Sequence, residues 1–257
     1  MPGLRLPAWL GGHRHPIAEP AWQRAEGRLA LLAGLSNGER QQLRSLAARF
    51  LAKKAIEPVG DLWLGDDERA ELALQACLPI LNLGLAWYSG WASVVVYPDT
   101  FLADHETVDE LGIRHSDRHV LGGESWQRGP LVLSWPDARD SLAEPGQNLV
   151  IHEASHKLDM LNGAANGMPP LHRSMDRRRW TAAFQAAYED LQRRLDTGQG
   201  TAIDPYAGED PAEFFSVVSE AFFDAPHGLR SAYPGIYELL AVFYRQDPAA
   251  RLPAVGP

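Results

Sequence analysis

The sequence predicts an α+β fold, mainly helical, with a small mixed sheet beside one buried helix. Three observations carry this expectation. Apolar residues recur at helical spacing through the first third of the chain. Ser93-Val-Val-Val-Tyr97 and Leu131-Val-Leu-Ser-Trp135 are β-branched or aromatic runs bounded by Pro and Gly, which read as strands. Finally, Val150, Ile151, Leu158 and Met160 give Asn148–Met160 an apolar helical face, while the same stretch carries His152-Glu153-Ala154-Ser155-His156.

With 257 residues, 45% of them hydrophobic, the chain can bury one substantial core. The expected organisation is a flexible N-terminal arm over 1–20 and a single domain over 21–257, helical to about 90 and catalytic from 91 onwards, in a monomer. A net charge of -9 excludes nucleic acid and anionic membranes as main partners. Cys77 is the one cysteine, so no disulfide forms within the chain and a reducing, cytoplasmic setting is expected. The N-terminus is too rich in Pro and Gly for a signal peptide, and no later apolar run is long enough to span a membrane.

Taken in order, His13 and His15 lie in the expected arm and read as incidental. Trp22, Ala25, Leu29 and Leu32 share a helical stripe up to Ala33. Ser36 and Glu39 form a capping box ahead of a second helix, whose core stripe is Leu43, Leu46, Ala47, Phe50 and Leu51. Ile56-Glu-Pro-Val-Gly is too interrupted for a long element. A third helix is expected from Asp66 through Cys77 and Leu81 to Gly84, opened by acidic residues and kinked at Pro79. Trp87, Tyr88 and Trp91 read as core packing. Glu124–Gln127, between glycine-marked turns, is a candidate third strand, and His115 and His119 fall in a loop. Leu131–Trp135 is the candidate sheet edge for an extended peptide. Asn162-Gly163 signals the end of the histidine-bearing helix.

The His152–His156 stretch is an H-E-x-x-H pattern. Residues four apart on a helix differ by about 40° in direction, so both imidazoles face one ion a turn apart. Glu153, about 100° round from His152, suits a general base acting on a water molecule rather than a ligand. A catalytic zinc site takes three protein ligands and keeps one position open. Asp159 is about 10 Å along the axis from His152, which suits a supporting role behind the ligands. The better source of a third ligand is the helix expected to begin at Asp210-Pro211, where Glu213 and Glu220 share a face amid phenylalanines and valines. Carboxylates in so apolar a helix need a counter-charge, which zinc would supply. Glu213 has a competing reading, because Asp210 and Glu213 also form a capping box, and Glu220 stands as the alternative ligand.

The segments His152–Met160, Asp204–Ala207, Pro211–Phe223, Cys77–Gly84 and Phe243–Pro248 resemble those of the Mlc titration factor A family, over roughly residues 25 to 252. The resemblance implies a cytoplasmic zinc metallopeptidase with aminopeptidase activity and a zincin-like core similar to the anthrax lethal factor peptidase domain. It implies one Zn²⁺ on His152, His156 and Glu213, Glu153 as base, and Tyr206 as the phenol steadying the tetrahedral intermediate. Asp159 and Glu220 then stand behind the ligands, and Glu220, Asp159 and Glu209 are candidates to hold the substrate's free amine. Expected partners are a peptide or aminoacyl substrate and a transcription repressor such as Mlc. The alternative is a non-catalytic protein that sequesters such a repressor. The His- and Pro-rich N-terminal arm has no counterpart in the resemblance.

Overall fold

The computed structural model describes residues 16–99, 106–108, 114–116, 129–143 and 145–254. Most of the expected arm with His13 and His15, the candidate strand Glu124–Gln127 and His119 lie outside the described residues.

Helix α1 (Glu19–Arg28) begins three residues before Trp22, with Pro20 in its first turn, where a missing N–H costs nothing. A 3-10 turn, Ala30–Leu32, replaces the end of the expected helix. The capping box before α2 (Asn37–Lys53) forms as predicted: Glu39 N donates to Ser36 Oγ at 3.3 Å and Ser36 N to Glu39 Oε2 at 2.8 Å. The interrupted stretch that follows still supports a short strand, β1 (Ala55–Pro58), ended by Pro58 and by Gly60 at φ +64°. Helix α3 (Asp66–Cys77) corrects the expectation of a kinked helix reaching Gly84. Pro79 has no N–H to continue the ladder and its ring crowds the preceding turn, so the chain leaves the helix and passes through turns.

Strand β2 (Ser93–Tyr97) matches its prediction. A short ribbon pairs β3 (Glu106–Val108) antiparallel with β4 (Arg114–Ser116), so His115, expected in a loop, lies in a paired strand. Strand β5 (Leu131–Ser134) stops one residue short of expectation. Ser134 Oγ accepts from Asp137 N at 3.2 Å and caps α4 (Trp135–Asp140), which takes Trp135 into its first turn. Then come α5 (Leu149–Asp159), α6 (Arg177–Asp196), α7 (Pro211–Asp224), α8 (Pro226–Ala232), α9 (Pro234–Tyr244) and α10 (Pro248–Arg251).

The mainly helical α+β class holds, with a small three-stranded sheet in the order β1-β2-β5. Its described strands all run parallel, with Ile56, Val94 and Leu131 in one row, and antiparallel pairing is confined to the separate β3–β4 ribbon. The reason is connectivity: α3 lies between β1 and β2, and such a crossover returns the chain in the same direction. β5 is an outer strand of the three and packs against α5.

Helix α7 is apolar almost all round and is therefore placed centrally. Phe215, Phe222 and Phe223 are fully buried there, each stabilising the fold by about 1.5–3 kcal/mol. α5 lies along α7, while α8 and α9 cover other sides of it. No described helix is long and apolar enough to cross a membrane.

Candidate metal centre

Asn148 starts the histidine-bearing helix: its Oδ1 accepts from Ile151 N at 3.0 Å. Val150, Ile151, Ala154 and Leu158 are buried and fix which face of α5 meets α7. That registration turns His152 and His156 the same way, ring centroids 4.8 Å apart and Nε2 atoms 3.1 Å apart.

On α7, Asp210 Oδ1 accepts from Ala212 N at 2.7 Å and Glu213 N at 2.9 Å. The cap is thus made by aspartate, and the Glu213 carboxylate is turned to the imidazoles. Its Oε2 lies 2.9 Å from His152 Nε2 and its Oε1 3.3 Å from His156 Nε2. Glu220, two turns on, meets the opposite nitrogen: Oε1 is 2.6 Å from His152 Nδ1, and Oε2 accepts from Asn148 N at 2.6 Å. Its two oxygens are engaged away from the point where the Nε2 atoms meet, so the geometry favours Glu213 over Glu220 as the third donor.

The electrostatics follow the contacts. Burial raises the Glu213 carboxyl, but hydrogen bonds from His152 and His156 outweigh it and hold the group well below the usual carboxylate range. Burial works against charge on His152, and the carboxylates of Glu220 and Glu213 overcome it, raising the imidazole well above its ordinary value. Burial also leaves Glu220 raised, against the pull of His152.

Do these residues fit a metal ion? Donor atoms of His152, His156 and Glu213 all lie within 4.8 Å of one another. A tetrahedral shell with bonds of about 2.0–2.1 Å separates neighbouring donors by about 3.3 Å, and the observed spacings of 2.9, 3.1 and 3.3 Å lie close to that. Two imidazoles and one carboxylate are donors that zinc takes. A carboxylate on the far nitrogen of one imidazole presents the other nitrogen to an ion. The set fits.

Around it, Asp159 fixes a loop: its Oδ2 accepts from Asn166 N and Gly167 N, both at 2.7 Å. Gly167, at φ +78°, packs so closely on the start of α7 that a Cβ there would lie 2.5 Å from Pro211 O. Asp159 therefore connects the end of the histidine helix to the start of the Glu213 helix. Glu153 is half-buried on the neighbouring face of α5. Tyr206, the phenol that the resemblance implies, is half-buried in the 3-10 turn Pro205–Gly208, its ring 6.1 Å from that of His152. Glu209 is exposed just after that turn. The sequence reading missed Asn148, although an Asn directly before an apolar helical run is a cap signal.

A family model described as glucose-regulated metallo-peptidase M90 matches residues 11–245. The chain is 41% identical over 246 residues to the Mlc titration factor A of Cronobacter sakazakii (strain ATCC BAA-894), covering 95% of this chain and 92% of that protein. It is 42% identical over 248 residues to the Mlc titration factor A of Yersinia pestis (strain Pestoides F), with the same coverages of 95% and 92%. The metal-ready cluster thus sits in a chain that resembles these relatives over 95% of its length, and the protein belongs to the M90 metallo-peptidase family, that of the Mlc titration factors A.

Proposed function

We propose that this metallopeptidase-family protein is a zinc-dependent peptidase of aminopeptidase type, with His152, His156 and Glu213 as the ligands of one Zn²⁺. The observation that carries the reading is the convergence of three donor atoms, from two buried helices, at the spacing of a single coordination shell. Bound there, the ion supplies Lewis acidity that brings the pKa of a water towards about 7.

The chain's own residues supply the rest. Glu153, next to His152 but half-exposed, takes the proton of the attacking water as the C–O bond forms and returns it to the departing amine as the C–N bond breaks. The Tyr206 phenol donates to the oxyanion that develops on the former carbonyl. Glu220 holds His152 by its Nδ1, and Asp159 keeps the loop against α7 in place. Substrates are peptides or aminoacyl compounds, cleaved by a monomer in the cytoplasm. The low cysteine content supports that compartment.

Glu153→Gln tests the assignment, because it keeps the size and removes the base. Hydrolysis of aminoacyl and peptide chromogenic substrates should fall by about 10²–10⁴-fold with metal content unchanged, and a variant of full activity would refute the role.

The name of the relatives, Mlc titration factor A, supports a second role beside catalysis, binding a transcription repressor such as Mlc. Capture of that repressor by wild type and by His152→Ala separates the two: binding that survives loss of the ligand places the partner surface away from the metal centre.

A further inference from the structure

Behind His152 the buried polar groups continue past Glu220 to residues that the hydrolytic reading does not use. Glu220 Oε1 meets His152 Nδ1, and Glu220 Oε2 accepts from Asn148 N. The Asn148 side chain, fully buried, accepts from Ile151 N through Oδ1 and donates through Nδ2 to Gln75 Oε1 at 2.9 Å. Gln75, 2% exposed in the last turn of α3, donates through Nε2 to Glu71 O at 3.2 Å.

Each link dictates the next. Because Gln75 Nε2 is held by a backbone carbonyl of its own helix, Oε1 is the atom left to face α5, and it calls for a donor. The amide at 148 meets both demands with two separate atoms: Oδ1 accepts in the first turn of α5 and Nδ2 donates to Gln75. Asp would cap the helix equally well but, an acceptor only when ionised, would leave Gln75 Oε1 without that donor. A buried, half-satisfied amide network is costly, so the identities of both residues are constrained by each other. The consequence reaches the metal centre, since the Asn148 amide that Glu220 grips moves with the Asn148 side chain.

We propose that Gln75 and Asn148 are positioning residues of the metal centre: through Glu220 they hold His152 with Nε2 turned to Glu213 and His156. The proposal rests on the metal reading above. It explains why a glutamine sits among alanines and leucines on the buried face of α3, and it makes α3, remote in sequence from every ligand, part of the site.

The test is zinc affinity, measured on the purified full-length chain by competition with a chromogenic chelator. Direct hydrogen-bond partners of metal ligands change affinity about 10–100-fold. Acting one step further out, Gln75→Met should weaken zinc about tenfold. Asn148→Asp, which keeps the capping acceptor and loses the Nδ2 donor, should do the same and covers the case in which Gln75→Met fails to fold. The decisive arm is the background of Glu220→Gln. If the relay acts through Glu220, either substitution should cost less than about twofold there, because coupled residues are not additive. An equal loss in both backgrounds, or unchanged affinity in the single variants, would overturn the proposal. A wild-type chain that takes up no zinc would overturn the metal reading itself and the relay with it.

Discussion

Two regions of this molecule bury charge, and they treat it differently. At the start of the parallel sheet, Lys54 and Lys157, each 6% exposed, flank the Trp91 indole, their Nζ atoms 4.0 and 5.9 Å from its ring. Lys54 Nζ donates to the carbonyls of Tyr88 and Trp91, and Lys157 Nζ to that of Gly129 at 3.0 Å. At the metal centre, by contrast, the charged atoms of α5 and α7 point at one another and converge. Backbone carbonyls satisfy the lysines where they stand and tie strand starts together, so that cluster is a piece of structure. The carboxylate and imidazoles offer lone pairs to a common point, an arrangement that suits a cation.

That contrast can be broken at either end. The largest effect belongs to the proposed ligands: His156→Ala, or prolonged chelation of wild type, should abolish hydrolysis, a loss of more than about a thousandfold given what a metal contributes to peptide cleavage. Turnover by the metal-free chain would show that the converging cluster is as structural as the lysines. Next, Glu220→Gln keeps shape but weakens the grip on His152 Nδ1. The zinc dissociation constant should rise about 10–100-fold, and calorimetric titration showing no change would remove Glu220 from the site.

Asp159→Ala removes the acceptor of the buried Gly167 amide and of the amide of exposed Asn166, with an expected loss on the order of 1–3 kcal/mol in urea unfolding. Zinc affinity should change less than with Glu220→Gln, and the reverse order would mean that the loop, not the carboxylate on His152, sets the site. The smallest effect lies at the lysines. Burial lowers Lys54 and Lys157 to about 8. Between about pH 8 and the unfolded value of about 10.4 the unfolded chain therefore binds more protons, so stability rises with pH across that window. Lys54→Met should flatten the rise by at most about 1.4 kcal/mol per pH unit, measured by urea unfolding from pH 7 to 10. An unchanged slope would mean that Lys54 is not the buried cation described.

How much of this was legible in the sequence depends on whether the signal was local. The Ser36 box, the start of α7 at Asp210-Pro211 and strand β2 were readable because each is written within a few residues. So was the phasing of His152 and His156. Pro79 was read as a kink where it acts as a stop, since a proline's neighbours decide whether a helix resumes. Helix α6 was not among the predicted elements, although Trp180, Phe184, Ala187 and Leu191 form its buried stripe; polar residues outnumber that stripe. Pro226, Pro234 and Pro248 mark the starts of α8, α9 and α10 and also went without a prediction.

Glu213 shows the limit most clearly. Capping and ligation ask for the same residue at the same position of a helix, and Glu220 shares its face, so spacing leaves the choice open. What decides is where α5 lies across α7, a fact of packing between segments some sixty residues apart in sequence.

Metal analysis of the purified protein beside Glu213→Ala bears on the central claim most directly. The account predicts about one equivalent of zinc per wild-type chain, as one set of three protein ligands implies, and loss of that zinc from the variant on dialysis. Wild type without zinc, or a variant that keeps a full equivalent, would contradict it.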